Sequence, residues 1–226
     1  MTPREPALLP TIPYRPSHVP ADEVVKRIEA ELAIAEQRRS VRQFSSAPVP
    51  RAAIEAAIRI AGTAPSGAHK QPWYFVAISD AETKQKIREA AEHEERAFYE
   101  SRATPEWLDA LAPLGTDFEK THLTTAPWLV VVFRQDQELT ADGGTAKTYY
   151  AQESVGIAVG FFIAALHRAG LATLTHTPAP MIFLRDLCGR PKSEKPFVIL
   201  PVGYPAENCV VPDLQRKTLE QIAEIR

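Results

Sequence analysis

The stretch Gly62–Trp73, GTAPSGAHKQPW, lies between an apolar helical segment and an apolar, strand-like run. Two prolines, two glycines, a serine and a histidine fall within these twelve residues. Glycine and proline fix tight backbone geometry, and small side chains let a ligand approach backbone N–H groups. The stretch therefore predicts a loop that holds a ligand against the main chain.

The segments on either side of this loop show helical or strand-like periodicity. They follow one another without a strict βαβ order, which favours an α+β sandwich, a central mixed sheet flanked by helices, over a doubly wound sheet. Helices are predicted at about 22–39, 51–60, 81–102 and 149–169, strands at about 74–79, 128–133, 171–175 and 197–203, and a short helix in the tail 206–226.

Length and composition indicate one domain with two extensions. The chain has 226 residues, of which 45% are hydrophobic and 24% charged, enough for a substantial core. Six prolines in residues 1–20 rule out a helix there. We therefore predict a proline-rich arm at 1–21, a main domain at 22–203 with a lid at about 81–122, and a C-terminal extension at 204–226.

Charge and motifs exclude several function classes. The net charge is −2 without a sustained basic block, which argues against a nucleic-acid partner. The dinucleotide, P-loop, zincin and nucleophile-elbow motifs are absent, and no two of the six histidines have metal-ligand spacing, so no metal is expected. With two separated cysteines and no apolar run of about 20 residues, we expect a cytoplasmic protein without a membrane span.

Two basic clusters suit an anionic ligand. Arg38, Arg39, Ser40 and Arg42 place three guanidinium groups and a hydroxyl within five residues, which suits a phosphate. Arg216 lies in the second cluster, near the C-terminus. Each cluster also fits an ordinary solvated segment, so the residues alone leave both interpretations open.

Two polar patterns suit a small organic ligand. Thr173, Thr175 and Thr177 alternate along a predicted strand, which puts their hydroxyls on one face. Glu95 and Tyr99 are four residues apart and share a helix face. The β-propensity of threonine and a solvated helix explain these patterns equally well.

Taken together, these segments resemble the iodotyrosine deiodinase family within the nitroreductase flavoprotein superfamily. The motifs RRSVRQF, AGTAPSGAHKQPW, Thr-x-Thr-Pro, LPVGYP and VPDLQRK follow in that family's order across residues 22–223. The resemblance implies a nitroreductase-like sandwich, an obligate-type homodimer and bound FMN. Within the family the sequence resembles the soluble bacterial members, since vertebrate members carry a membrane anchor. It departs from the family pattern at the strand end, THTP, and in the lid, AEHEERAFYESR.

The resemblance also implies roles for individual residues. Thr177 is the expected catalytic hydroxyl at flavin N5, and Ala68 is expected to donate its backbone N–H to the substrate phenolate, as a catalytic and substrate-binding residue. Glu95, Tyr99 and Lys120 are expected to grip the ammonium and carboxylate of an amino acid. FMN binding is implied for Arg38, Arg39, Ser40, Arg42, Pro65, Ser66, Gly67, Thr175, His176, Thr177 and Arg216.

Two histidines in or near these motifs are expected to have structural roles. His176 belongs to the implied FMN-binding segment, but its side chain is expected on the opposite face from Thr175 and Thr177 and therefore to pack. His69 is expected to make a structural hydrogen bond, with acid–base chemistry as the alternative.

The activity implied by the resemblance is FMN-dependent reductive dehalogenation of halotyrosines to tyrosine and halide, with electrons from an external reductant such as an NAD(P)H-linked reductase. A zwitterionic phenol needs an anion, a cation and a hydrogen-bond donor, which Glu95, Lys120 and the Ala68 amide would supply. Two alternatives stay open: a general nitro- or quinone-reductase on the same fold, and a flavin- or halotyrosine-binding protein without turnover.

Overall fold

The computed structural model describes residues 9–140 and 143–226 and divides into two compact units, one ending at Gln37 and the other comprising Arg38–Arg226. In the first unit, residues 9–20 contain no helix or strand, as their prolines predict, and α1 follows at Ala21–Glu36. The remainder of the predicted arm, residues 1–8, lies outside the described residues.

The second unit is built on a four-stranded sheet. Its strands are β1 (Trp73–Ile78), β2 (Trp128–Gln135), β5 (Ala172–Thr173) and β6 (Glu194–Gly203), in the order β1-β2-β6-β5, while β3 (Gln137–Leu139) and β4 (Thr145–Lys147) form a separate hairpin. All these strand pairs are antiparallel. A bridge between Ser40 and Thr173 adds a parallel pairing, so the predicted mixed character comes from one short contact.

Helices cover both faces of this sheet. The helices that do so are α2 (Arg51–Ala61), α3 (Ala81–Ala97), α5 (His122–Thr125), α6 (Ala151–Arg168) and α7 (Phe183–Leu187). Two further short helices are α4 (Pro105–Leu111) and α8 (Leu219–Ile222). Val130 and Val132 of β2 pack with α2 and α6, whereas Leu129, Val131 and Phe133 pack with α3, α5 and α7. This two-sided burial is why β2 reads as a continuous apolar run, and it confirms the predicted sandwich.

The predicted strand at 171–175 is wrong in length, because regular pairing ends at Thr173. Beyond it, the backbone pairs with the sheet again at the bridge between His176 and Ile199. Helices α4 and α7 and the β3–β4 hairpin were not predicted, since each is short and irregular in its apolar pattern. No helix of the described residues is long and apolar enough to cross a membrane, and both cysteines are free.

Candidate active site

The basic segment at the start of the second unit is held against the sheet. The backbone N–H of Val41 donates to the carbonyl of Thr173 at 3.1 Å. From the C-terminal tail, Nη2 of Arg216 donates to the carbonyl of Arg38 at 2.7 Å. These contacts form a cavity of about 260 Å³ whose polar and charged lining includes Arg38, Arg39, Ser40, Arg42, Gln215 and Arg216. The arrangement suits a phosphate, and Arg216 joins the cluster of its own chain.

A second cavity of about 430 Å³ lies between the lid and the segment that follows β5. Arg42 lines both cavities, so the two adjoin. The second cavity brings together these residues that the sequence predicted: Arg42, Glu95, Tyr99, Lys120, Thr175, His176 and Thr177. Sequence reasoning missed the following lining residues: Phe98, Trp107, Leu111, Thr116, His122, Leu174, Ala179 and Met181.

The lid begins at a predicted cap. The Asp80 carboxylate accepts a hydrogen bond from the backbone N–H of Thr83 at 2.7 Å, which starts α3. The helix then widens into a π-helical turn at Phe98–Arg102, a distortion common at functional sites. This turn contains Tyr99, whose hydroxyl donates to the carbonyl of Thr116 at 3.1 Å. This hydrogen bond ties the π-helical turn to the later part of the lid, and both residues line the cavity.

Opposite charges meet inside the cavity. Oε2 of Glu95 lies 3.4 Å from Nζ of Lys120, and the side chain of Lys120 is only 4% exposed. Nζ of Lys120 also donates to the carbonyl of Asp117, while its backbone N–H donates to Glu92 at 2.7 Å. A carboxylate and an ammonium held this close can separate, and each can then pair with the opposite charge of a zwitterionic ligand.

Two imidazoles form the inner wall. The rings of His122 and His176 meet edge to face, with centroids 5.4 Å apart. Burial, with positive charge from Lys120 and Arg42 adding to it, lowers the pKa of His122 to about 4 and the pKa of His176 to about 3. Both imidazoles are therefore neutral at pH 7. His122 belongs to none of the motifs and was not predicted as a site residue. Its position two residues after Lys120 is the signal that could have identified it.

The threonines of the strand end do not share one environment. Thr175 and Thr177 are exposed, but Thr173 is buried under the segment that contains Ser40. The expectation that all three hydroxyls present themselves together is wrong for Thr173, because the parallel bridge covers that residue. Leu174 and His176 are buried, as expected for side chains that pack, but His176 also lines the second cavity together with Thr175 and Thr177.

The loop Gly62–Trp73 has an unusual backbone. Ala68, His69 and Gln71 adopt positive φ angles of 50°, 54° and 47°, a region that costs non-glycine residues roughly 1–2 kcal/mol each. A side chain on Gly67 would place its Cβ 2.6 Å from the carbonyl oxygen of Tyr149. Glycine is therefore required at 67 by the contact with Tyr149.

Most backbone N–H groups of this loop donate a hydrogen bond within the protein. The N–H groups of Gly67, His69, Lys70 and Gln71 each donate to a partner. Among the described residues the N–H groups of Ser66 and Ala68 have none, so both amides are available for a ligand. The hydroxyl of Ser66 accepts the bond from Gln71 at 2.9 Å, and exposed His69 contacts the side-chain amide of Gln71 at 3.2 Å.

The loop stands apart from the cavities described above. As far as residues 9–140 and 143–226 are concerned, Pro65, Ser66, Gly67 and Ala68 line neither of them. The loop instead contacts the start of α6, where Gly67 donates to Ser154 at 3.4 Å. The predicted site residues thus fall into two groups, one around the cavities and one in this loop.

Comparison with known proteins agrees with the fold and these motifs. Residues 35–204 match the Nitroreductase family. The chain is 51% identical to an iodotyrosine deiodinase of Haliscomenobacter hydrossis, over 91% of this chain and 93% of that protein. The chain belongs to the nitroreductase family, in its iodotyrosine deiodinase branch.

The chain is also similar to animal proteins of this family and to a solved structure. Human iodotyrosine deiodinase 1 is 45% identical, over 93% of this chain and 73% of that protein. A crystal structure of oxidized iodotyrosine deiodinase bound to FMN and 3-iodo-L-tyrosine superposes with a TM-score of 0.73 at 29% identity, covering 86% of this chain and all of that one. The nitroreductase-like sandwich predicted from the sequence is confirmed.

Proposed function

We propose that this nitroreductase-family protein binds FMN and removes halide reductively from halotyrosines such as 3-iodotyrosine. The balanced change is a halotyrosine plus two electrons and one proton, giving tyrosine and a halide ion. The observation that carries the proposal is the meeting of Glu95, Tyr99 and Lys120 in one cavity with Thr175 and Thr177. A broad nitro- or quinone-reductase has no need of a paired carboxylate and ammonium.

The residues around the first cavity fit FMN. Its phosphate needs several cationic donors, and the cavity is lined by four arginines and Ser40. We assign the phosphate to this group, and the flavin ring to Thr175–Thr177 together with Pro65, Ser66 and Gly67. When bound, FMN supplies the electrons for cleavage of the carbon–halogen bond.

The protein's own contribution is to hold the substrate. Glu95 accepts hydrogen bonds from the ligand ammonium and Lys120 donates to its carboxylate, so the present contact between them opens on binding. Tyr99 and the lid exclude water. The unpartnered N–H of Ala68 is the donor for the phenolate, whose negative charge favours a strong hydrogen bond.

We further propose that a second copy of this chain completes the site. The loop containing Ala68 lines neither cavity described above, which supports its contribution to the site of a partner subunit. Helix α6 offers an apolar face, where Ile157 and Phe161 are 42% and 40% exposed. A Cβ built on Gly156 or Gly160 meets nothing within 4 Å, so the substitution Gly160→Leu is expected to spare the monomer and disrupt the dimer.

Sedimentation tests this assembly directly. We expect a dimeric mass for the holoprotein, and a monomeric mass with reduced FMN content for Gly160→Leu. A monomeric wild type that retains FMN would contradict the dimer. We also propose an external reductant, such as an NAD(P)H-linked reductase, and a cytoplasmic location, the latter resting on the scarcity of cysteine.

An anaerobic reaction tests the activity. The purified holoprotein is reduced with dithionite and mixed with 3-iodotyrosine, and flavin reoxidation and tyrosine are followed. We expect both, and Glu95→Gln should lose them while retaining nitroarene reduction. Rapid nitroarene reduction without tyrosine in the wild type would favour a general reductase. Tight 3-iodotyrosine binding without halide release would favour a binding protein.

A further inference from the structure

The inner wall of the second cavity contains two polar atoms that the protein does not satisfy. Nε2 of His122 and Nε2 of His176 are buried and have no hydrogen-bond partner among the described residues. The two residues as a whole are 5% and 7% exposed. Buried polar atoms almost always have partners, so this pair indicates a contact that forms in another state of the site.

The backbone of His176 is firmly fixed. Its N–H donates to the carbonyl of Ile199 and its carbonyl accepts from the N–H of Ile199, both at 2.9 Å. Ile199 belongs to the interior strand β6 and is fully buried. On the other side, the edge-to-face contact with His122 restricts rotation of the imidazole. The ring therefore presents Nε2 from a rigid support.

Nε2 of His176 faces the lid carboxylate. It lies 3.9 Å from Oε1 of Glu95, while Oε2 of the same carboxylate lies 3.4 Å from Nζ of Lys120. The distance of 3.9 Å is too long for a hydrogen bond. A small shift of the lid would close it, since Glu95 is carried by α3 and His176 by the sheet.

We propose that His176 is a positioning residue for Glu95: in the substrate-bound state its Nε2–H donates to Oε1, leaving Oε2 to accept from the substrate ammonium. The inference deepens the proposed function and rests on it. The substrate carboxylate binds Lys120, so Lys120 no longer contacts Oε2 of Glu95. His176 then takes the place of Lys120 in holding the Glu95 carboxylate. Burial of the ring lowers its pKa, with positive charge from Lys120 and Arg42 adding to the effect, so the imidazole is neutral and has one N–H to donate.

Two substitutions at this position separate hydrogen bonding from packing. His176→Val removes the donor, whereas His176→Gln keeps an amide N–H near the position of Nε2. Affinity of the oxidized holoprotein is measured by calorimetry for 3-iodo-L-tyrosine and for 3-(3-iodo-4-hydroxyphenyl)propionate, which lacks the ammonium. His93→Gln, an exposed site on the same helix as Glu95, is the matched control.

We expect His176→Val to weaken binding of 3-iodo-L-tyrosine about tenfold and to raise KM more than it lowers kcat, because a hydrogen bond to a charged group is lost. Binding of the propionate should stay within about twofold, and His176→Gln should recover most of the loss. Equal weakening for both ligands, or loss of FMN from His176→Val, would overturn the proposal in favour of a packing or cofactor role.

The tautomer of His176 gives a test that does not depend on substrate turnover. In protein labelled with ¹⁵N-histidine, the His176 signal is assigned by its absence from His176→Gln. We expect the neutral Nε2–H form at pH 7. The Nδ1–H form would overturn the proposal, because Nε2 would then be an acceptor facing a carboxylate. If the wild type binds no 3-iodotyrosine, the proposed function fails, while the tautomer still decides whether His176 can donate to Glu95.

Discussion

The carboxylate of Glu95 and the ammonium of Lys120 lie 3.4 Å apart within one cavity, although 25 positions separate them in the chain. Glu95 is 15% exposed and Lys120 4% exposed, so neither group is solvated like a surface charge. Without a ligand, each group is the partner of the other. Each can instead pair with the opposite charge of an amino-acid zwitterion. The cavity therefore suits a ligand whose ammonium and carboxylate groups are attached to the same carbon atom.

Removal of the cation should therefore weaken amino-acid binding selectively. We expect Lys120→Gln to lower affinity for 3-iodo-L-tyrosine by about 10–100-fold, because a charge-assisted hydrogen bond is lost and Glu95 loses its neighbour. Calorimetry with the holoprotein measures this effect. Affinity for 2-iodophenol, which has neither charge, should hardly change, and a parallel loss for both ligands would contradict the assigned contact.

The hydroxyl of Thr177 should affect dehalogenation more than flavin binding. Thr177 is exposed beside the lid cavity, and we assign its hydroxyl to the redox-active edge of FMN. Thr177→Ala is expected to retain FMN but to lose about tenfold or more in dehalogenation relative to nitroarene reduction. Thr177→Ser, which keeps the hydroxyl, serves as the control. Unchanged dehalogenation by the alanine variant would refute this role.

The buried histidines should make the fold sensitive to acid. Both bind protons more readily when unfolded, with a pKa near 6.5, than when folded, with pKa values of about 4 and about 3. The free energy of unfolding is therefore nearly constant well above pH 6.5 and falls as the pH drops through that value, by roughly 1.4 kcal/mol per histidine near pH 5.5. Urea unfolding at two pH values measures this loss. The double variant His122→Gln, His176→Gln should show a smaller decrease.

Two neighbouring loop positions should respond in opposite directions. Gly67→Ala puts a methyl group 2.6 Å from the Tyr149 carbonyl and should destabilise the protein by about 1–3 kcal/mol. Ala68→Gly relieves a left-handed backbone and should stabilise it by about 0.5–1 kcal/mol. Denaturant midpoints compare the two. A stabilising Gly67→Ala would mean that Tyr149 does not pack against the loop.

Sequence by itself determined the periodic elements and the linear motifs. The predicted cap Asp80, the end of α2 at Gly62 and the buried strand β2 all depend on local rules that act within a few residues. The basic segment around Ser40 and the loop around Ala68 were visible as motifs because their chemistry is contiguous. Pairing of Glu95 with Lys120 was not predicted, although both were expected to bind the ligand.

Tertiary structure decided which of these motifs meet. The burial of Thr173 follows from a bridge to Ser40, 133 positions away, and the approach of His122 to His176 follows from packing of α5 beside the sheet. Such contacts depend on how layers stack, which no local pattern encodes. The same holds for the loop Gly62–Trp73: its composition predicted a ligand-binding turn, but only the folded chain decided that the amides of Ser66 and Ala68 lack a partner among the described residues, because the backbone places them away from the acceptors that their neighbours reach.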